Sequence, residues 1–373
     1  SFHMSAFLAP EQAALKAKAR EVAQDTVRAR AAEVDRTEEY PWDHLETFKD
    51  AGFLGMTIPE AYGGLGGDLV DTMIMFEEFG KGLVLEPTLS SLVLFAGALE
   101  LAGSDEHKHH YLPALGAGDL TGCLAYVEAD EPTNFNFVAT TALKTGDHYQ
   151  LNGTKSVVLN AASADVILVS ARTEGQATDP RGISLFLVPG DSEGLLRKDY
   201  PTVDGLRASE VLLENVRVPA SALVGAEGAA SQTLNTVINR GILAISAEAV
   251  GAMAVLYQST IDYSKQRVQF DHPLSEFQVV KHRLTEMFIE YNLAKSLCMK
   301  ATMLLNQNSG DAQRHIHALK YLIGKTSRFV GQNAVQLHGG MGMTEDLAIA
   351  HYFKRLMMID ATFGHTDIHL DEI

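Results

Sequence analysis

The chain has 373 residues, of which 46% are hydrophobic and 21% charged, the balance of a globular protein with two or three subdomains. Its net charge of −17 and pI of about 5.2 argue against a nucleic-acid-binding or anionic-membrane-binding surface, where basic residues should dominate. A phosphorylated ligand stays compatible with this balance, because a few arginines and backbone amides can hold one.

No targeting segment, membrane span or metal site is expected. We expect no stretch to be apolar for long enough to cross a bilayer, and the segment Ser5–Arg36 carries acids and no apolar signal core. Ser1–Met4 resemble an added tag. Cys123 and Cys298 lie far apart and outside any CxxC motif, which favours reduced core thiols over a disulfide or zinc. These features predict a cytoplasmic protein.

The first region, residues 5–120, has the apolar periodicity of helices. Pro10 lies near the first turn of an Ala-rich amphipathic segment, which suits a helix start. The sequence predicts helices over Pro10–Val34, Trp42–Ala51, Asp68–Gly80 and Pro87–Ala102, the last of them more apolar and therefore buried.

The second region, residues 121–224, changes to a period of two. Its short apolar runs are separated by Gly, Asn, Asp and Pro, which is typical of an antiparallel β-barrel or sandwich. Tyr149–Gly153 is predicted to be a strand followed by a turn, and the other predicted strands include Val166–Ser170, Ile183–Pro189 and Glu210–Pro219.

The third region, residues 225–373, is helical again. The helices are long enough for a four-helix bundle, and the whole chain is therefore predicted to have an α+β fold with a β domain between two helical ones. The predicted helices are Ser231–Arg267, Glu276–Asn306, Ala312–Leu337 and Glu345–Asp360.

Three stretches carry candidate chemistry, although each has a purely structural reading. Arg267–Leu274, followed by Phe277-Gln278, joins two long helices, and an arginine suits a helix end. Gln336–Thr344 contains three glycines in four positions, more than a helix cap requires, and these could expose amides to a pyrophosphate. Tyr149–Asp165 reads alone as a hairpin.

Together, in this order, these stretches resemble the acyl-CoA dehydrogenase family over nearly the whole chain. Ala51–Gly55 and Ile58–Gly64 resemble its amino-terminal pattern, and Asp204–Ser209 and Val216–Pro219 the end of its β domain. The resemblance implies two helical domains flanking a β domain, usually in a tetramer. It also implies FAD between the β domain and the bundle, with part of the site donated by a neighbouring subunit.

The resemblance also assigns cofactor contacts. A diphosphate requires a guanidinium and several N–H donors, and the matched positions provide both. Arg267, Phe270 and Gln278 would contact the diphosphate and adenine part of FAD. The residues that would reach the FAD of the adjacent subunit, or lie near the same cofactor, are Gln336, Gly339, Gly340 and Thr366.

The sequence departs from the family pattern at the flavin edge. Two threonines that usually bond the isoalloxazine are replaced, one by Val127 in the loop Tyr126–Asn134 and one by Leu159. Backbone amides at these positions would have to replace the missing hydroxyls.

The catalytic glutamate is missing from both positions where the family carries it. The usual position, near the carboxy terminus, is Gly364 here. The minority position, at the start of the first bundle helix, is Gly241. A glycine has no side chain that could accept the α-proton of the substrate.

With these departures, the sequence resembles the small-subunit branch of the family. This branch includes pimeloyl-CoA dehydrogenase small subunits and subunits of heterotetrameric steroid side-chain enzymes. The matching stretches are Ala247–Met253, His351–Leu356 and Phe363–Leu370. The first hypothesis is therefore a flavin-dependent acyl-CoA dehydrogenase subunit in an α₂β₂ assembly, with the base supplied by a related partner. The family implies an electron-transferring flavoprotein as acceptor.

Two alternatives stay open. In the second hypothesis a homo-oligomer, such as a homotetramer, has a relocated base. Glu248 lies two turns beyond Gly241 but could instead pair with an arginine, and Asp367 could instead bond backbone amides. In the third, the chain is a non-catalytic partner of the same fold. Arg240 and Arg207 could meet a CoA phosphate or an acidic substrate tail, although ordinary surface arginines are more common.

Overall fold

A computed structural model describes residues 53–83, 88–204, 206–339 and 344–373, together with Ala17; for residues 344–347 it describes the backbone alone. The helices predicted over Pro10–Val34 and Trp42–Ala51 therefore lie outside the described residues, Ala17 excepted, and so does Gly340.

The described amino-terminal part is helical. Helix α1 (Leu69–Gly82) begins at a reciprocal capping box between Asp68 and Asp71. The predicted apolar helix that follows is a wide-turned π-helical segment, Leu89–Phe95, continued by α2 (Ala96–Ala102). A π segment of this length is rare and often marks a functional site. Helix α3 is Asp105–Ala117.

The middle part forms one eight-stranded sheet with the strand order β6-β7-β3-β2-β4-β5-β8, and β1 pairs with β4. Most neighbours are antiparallel, as predicted, but β1 and β4 are parallel, and so are the ends of β2 and β4. Hairpin signals could not reveal these parallel pairs, because they join segments distant in sequence. The strands are β1 (Gly122–Ala125), β2 (Thr141–Thr145), β3 (His148–Leu159), β4 (Val166–Arg172), β5 (Ile183–Pro189), β6 (Leu195–Pro201), β7 (Arg207–Pro219) and β8 (Leu223–Val224).

The carboxy-terminal part contains the four predicted long helices, with ends within two residues of those predicted. A short hairpin of β9 (Val268–Gln269) and β10 (His272–Pro273) separates the first two helices. The helices are α4 (Ser231–Gln266), α5 (Gln278–Asn306), α6 (Ala312–Leu337), α7 (Thr344–Ala361) and the short α8 (Thr366–Leu370).

Helix α4 is the centre of the molecule. It crosses α1 so closely that a Cβ on Gly251 would overlap the Glu77 carbonyl, and one on Gly80 the Glu248 carbonyl. By length and composition, and contrary to expectation, α4 is apolar enough to span a membrane. However, 78% of its most apolar window is buried inside the molecule, which identifies it as a core helix.

Candidate active site

An apolar cavity of about 210 Å³ lies where the sheet, the π-helical segment and the turn after α7 meet. Its described lining has no Asp, Glu, Lys or Arg side chain. Polar character comes from three hydroxyl groups of Ser and Thr, from Tyr126 and from His365. The described lining residues are Ser90, Leu94, Leu124, Tyr126, Val127, Pro132, Thr133, Val157, Leu159, Met358, Ala361, Thr362, Phe363, Gly364 and His365.

The sheet wall of the cavity is built on an irregular part of β3. The pairing of β3 with β7 shifts between Lys155 and Val158, and Val157 adopts a left-handed φ of +48°. Such a conformation is unusual for a β-branched residue and costs about 1–3 kcal/mol. The shift turns Val157 and Leu159 toward the cavity, and the Ser156 amide donates to the Val127 carbonyl at 2.7 Å.

A buried ion pair supports this wall from the side of the sheet core. Lys155 Nζ donates to Glu128 Oε2 at 2.7 Å and to Ser170 Oγ at 2.8 Å. Glu128 also accepts from the amides of Ala139 and Thr140, so the loop that carries Val127 is fixed at both carboxylate oxygens. Burial lowers the pKa of Lys155 to about 8, although the Glu128 carboxylate opposes this change.

Sequence reasoning did not find this pair, although a signal for Lys155 was present. Tyr149, Leu151 and Lys155 share one face in the period-two pattern of β3, and all three are buried. A lysine on the buried face of a strand requires an acidic or hydrogen-bonding partner.

The opposite wall is the turn between α7 and α8. Phe363 has a φ of +60° and Gly364 a φ of +93°, so both residues are left-handed. A Cβ built on Gly241 of α4 would lie 2.5 Å from Phe363 Cζ, which means that the Phe363 ring lies directly on Gly241. The two positions at which the resemblance places the base are therefore joined by one aromatic ring, and no carboxylate replaces them in the described lining.

Glu248 is not at this cavity. Its carboxylate makes a two-pronged ion pair with Arg355 of α7, with Arg355 Nη2 3.0 Å from Glu248 Oε1. The Nη1 atom of Arg355 also donates to Asp204 Oδ2 at 2.7 Å. Burial opposes the charge of Arg355, but the two carboxylates raise the pKa of Arg355 above its ordinary value.

This placement counts against the suggestion that Glu248 is the base. The structure shows the pairing with an arginine that was weighed against catalysis, and a carboxylate that neutralises a buried guanidinium is not available to take a proton. Asp367 is exposed in the first turn of α8 and is absent from the described lining of the cavity.

Comparison with known proteins decides the family. The chain matches the family domains described as acyl-CoA dehydrogenase N-terminal domain over residues 9–119, middle domain over 123–216 and C-terminal domain over 226–373. The chain belongs to the acyl-CoA dehydrogenase family.

Three relatives within the acyl-CoA dehydrogenase family illustrate the match. The probable acyl-CoA dehydrogenase YngJ of Bacillus subtilis is 29% identical over 97% of this chain and 96% of its own length. A variant of the Tcur3481–Tcur3483 steroid acyl-CoA dehydrogenase is 27% identical, with a TM-score of 0.85 and coverages of 97% and 96%. The ChsE4–ChsE5 complex of Mycobacterium tuberculosis is 25% identical, with a TM-score of 0.87 and coverages of 98% and 96%.

The residues that family resemblance assigns to FAD lie mostly on the surface of this acyl-CoA dehydrogenase chain. Phe270 and Asp271 are both left-handed at the tip of the β9–β10 hairpin, and the Phe270 side chain is 80% exposed. Arg267, Gln278 and Gln336 are also exposed, and Gly339, two residues after α6, has a φ of +73°. A guanidinium and side-chain amides suit an anionic cofactor that is held between chains.

Other predicted binding residues are placed differently. The buried Thr366 hydroxyl donates to Asp360 Oδ1 at 2.6 Å, so its hydrogen bond stays inside the protein. Arg240 lines a separate polar cavity between the π-helical segment and α5, whereas Arg207 is an exposed residue at the start of β7. The structure does not bring these two arginines together at the apolar cavity, and their role with CoA remains a prediction.

Proposed function

We propose that this chain is one subunit of a flavin-dependent acyl-CoA dehydrogenase, and that a related partner chain supplies the catalytic base. The observation that carries the proposal is a cavity without a carboxylate in its described lining, which includes Gly364 and the Phe363 ring that lies on Gly241. Removal of an α-proton from a thioester requires a base within hydrogen-bond reach, and neither glycine can provide one.

The cavity suits the flavin ring and the acyl part of a substrate. When bound, FAD would accept the hydride that leaves the β-carbon of the acyl group. Val127, Val157 and Leu159 would cover the ring from the sheet side, with backbone groups in place of the usual hydroxyls. The apolar wall would exclude water from the reacting carbons, which strengthens every electrostatic interaction inside the site.

Two further observations support an assembly of several chains. The residues matched to the FAD diphosphate are exposed, as expected if another chain completes their site. Helix α5 also presents large apolar side chains to solvent, an arrangement that is common at interfaces. The exposed apolar residues of α5 are Val279, Phe288, Ile289, Leu293 and Met303.

The similarity to two complexes of unlike chains favours an α₂β₂ assembly over a homotetramer. The ion pair between Glu248 and Arg355 counts against a self-sufficient enzyme that uses Glu248 as base. A bulky acyl-CoA, such as a steroid side-chain thioester, is the substrate class that we propose. An electron-transferring flavoprotein as acceptor and a location in the bacterial cytoplasm remain predictions.

The proposal is tested by reconstitution with a related acyl-CoA dehydrogenase chain from the same organism. We expect acyl-CoA desaturation only from the mixture. Replacement of the partner's acid by an amide should abolish turnover, whereas Glu248→Gln and Asp367→Asn in this chain should retain it in the fraction that folds. Turnover by this chain alone, lost in either of these two variants, would refute the proposal.

A further inference from the structure

We propose that His317 of α6 and His369 of α8 form a positioning pair, which holds the Phe363–Gly364 turn against Gly241 only while both imidazoles are neutral. The pair would thereby make this wall of the cavity sensitive to acid. The inference depends on the proposed function only for the name of the ligand, since the contacts concern the turn itself.

The contacts form one continuous chain. His369 Nε2 is 2.7 Å from the Phe363 carbonyl oxygen, and His369 Nδ1 is 2.9 Å from His317 Nδ1. His317 Nε2 is 3.0 Å from Gln313 Nε2, and the Gln313 amide exchanges hydrogen bonds with Asn239 at 2.7 and 3.1 Å. Asn239 lies two residues before Gly241, so this series of contacts leads from the turn back to α4, the helix on which the turn packs.

The groups at the two ends of this series of hydrogen bonds determine which nitrogen of each histidine carries the proton. A carbonyl oxygen only accepts, so His369 must carry its proton on Nε2, and its Nδ1 is then an acceptor. His317 must therefore donate from Nδ1 and accept the Gln313 amide proton at Nε2. Protonation of His369 would place two N–H groups against each other across 2.9 Å between the two Nδ1 atoms. Protonation of His317 would do the same across 3.0 Å, between its Nε2 and the Gln313 amide nitrogen. The series of hydrogen bonds is consequently complete only when both imidazole rings are neutral.

The turn depends on this support because its backbone is strained. Phe363 is left-handed at φ +60°, a conformation that an aromatic residue rarely adopts. The His369 bond holds the Phe363 carbonyl, and Lys320 Nζ holds the next carbonyl, that of Gly364, at 3.0 Å. Release of the first bond would free the Phe363 ring to leave Gly241 and would change the shape of the cavity.

Burial is the main factor that opposes protonation of the pair, and the surrounding charges act in both directions. Burial lowers the pKa of His369 to about 4; the Phe363 hydrogen bond opposes this change, and the nearby charges of Lys320 and His317 add to it. Asp360 of α7 attracts a proton but does not restore the ordinary value. Burial also lowers the pKa of His317, with Glu372 after α8 opposing. The folded pair therefore stays neutral where free histidines, with a pKa near 6.5, would charge.

The sign of the effect follows from these values. Because the folded pKa is lowered, the open turn binds more protons than the closed turn below about pH 6.5. The stability contributed by the pair is present above that pH and is lost as the pH falls toward 4. At pH 5.5 an exposed histidine is about ten parts protonated to one neutral, so opening should increase by up to about tenfold relative to pH 7.5 for each imidazole that becomes exposed.

The test is hydrogen–deuterium exchange of the segment 360–371, measured by mass spectrometry at pH 7.5 and 5.5 and corrected for the intrinsic exchange rate. It needs neither flavin nor acyl-CoA. In the wild type we expect up to about tenfold more opening at pH 5.5 for each imidazole that becomes exposed. His315→Asn, on the same helix but outside the chain of contacts, is the matched control and should behave as the wild type.

Two substitutions of His317 separate positioning from mere packing. His317→Leu removes the donor to His369, so opening should rise severalfold already at pH 7.5. His317→Asn keeps a donor near the Nδ1 position, and its amide can turn to accept from a protonated His369. Opening at pH 7.5 should then match the wild type, and the acid response should fall below about threefold.

The inference would be overturned by a wild type whose segment opens equally at both pH values, or by a His317→Asn variant with the full acid response. The Asn variant keeps the test decisive if His317→Leu does not fold. Loss of the proposed enzymatic function in the reconstituted assembly would leave this result unchanged, so the two ideas fail separately.

Discussion

The two walls of the cavity are fixed by different kinds of buried polar contact. On the sheet side a charged pair, Lys155 and Glu128, holds the loop before the cavity. On the bundle side a neutral chain through His317 and His369 holds the turn after α7. Lys155 in the charged wall stays protonated below about pH 8, whereas the histidines of the neutral wall take up protons as the pH falls. The same cavity thus has one rigid side and one side that can be released.

The largest expected effect is the loss of the charged wall. Glu128→Ala leaves Lys155 buried without a counter-charge, and we expect the free energy of unfolding to fall by about 3–5 kcal/mol. Urea denaturation measures this change. Glu131→Ala, three residues along the same loop at an exposed position, is the control and should cost under about 1 kcal/mol. Equal losses in the two variants would refute a special role for the pair.

The ion pair between Glu248 and Arg355 inside the bundle should come next. Glu248→Gln weakens the bonds to Arg355 in a buried site, and we expect a loss of about 2–3 kcal/mol in the free energy of unfolding. Turnover per folded assembly should be unchanged, because the residue lies away from the cavity. A stable variant without activity would instead restore Glu248 as a candidate base.

On the bundle wall, two substitutions at one position distinguish packing from backbone strain. Phe363→Ala and Phe363→Gly both remove the ring from Gly241, but only glycine adopts the φ of +60° without strain. We expect the glycine variant to be the more stable by about 0.5–1 kcal/mol in thermal or urea unfolding. The opposite order would show that the left-handed conformation at this position carries no cost.

The smallest expected effect is on the sheet wall. Val157→Gly relieves the left-handed conformation at φ +48°, while the side chain that it removes is about half exposed. We expect a gain of up to about 1 kcal/mol in the free energy of unfolding. Val158→Gly, at the buried neighbouring position, should destabilise the protein and is the matched comparison. A destabilised Val157→Gly variant would mean that the residue contributes packing which outweighs its strain.

Much of the fold follows from local patterns in the sequence. The four long helices were predicted to within two residues, because apolar periodicity over 18 or more residues is a strong signal. The parallel pairing of β1 with β4 was not predicted, since it depends on segments more than 40 residues apart. The left-handed conformation of Val157 has no local signal either, as valine rarely adopts it.

The site was less accessible to prediction, because it also depends on contacts between residues that are distant in sequence. The absence of an acid at Gly241 and Gly364 is visible in the sequence, but the ring of Phe363 between them depends on tertiary packing. Glu248 and Arg355 are 107 residues apart, so their pairing could only be weighed as an alternative. The contact between His317 and His369 had no sequence signal at all.

We propose that this chain alone is an incomplete active site, and this can be tested directly. The direct measurement is the visible absorption spectrum of the purified chain, with flavin counted per chain and saturated acyl-CoA thioesters added anaerobically. We predict little bound flavin, or flavin that no acyl-CoA bleaches. Close to one FAD per chain, bleached by an acyl-CoA, would contradict the claim and show that the chain carries its own base.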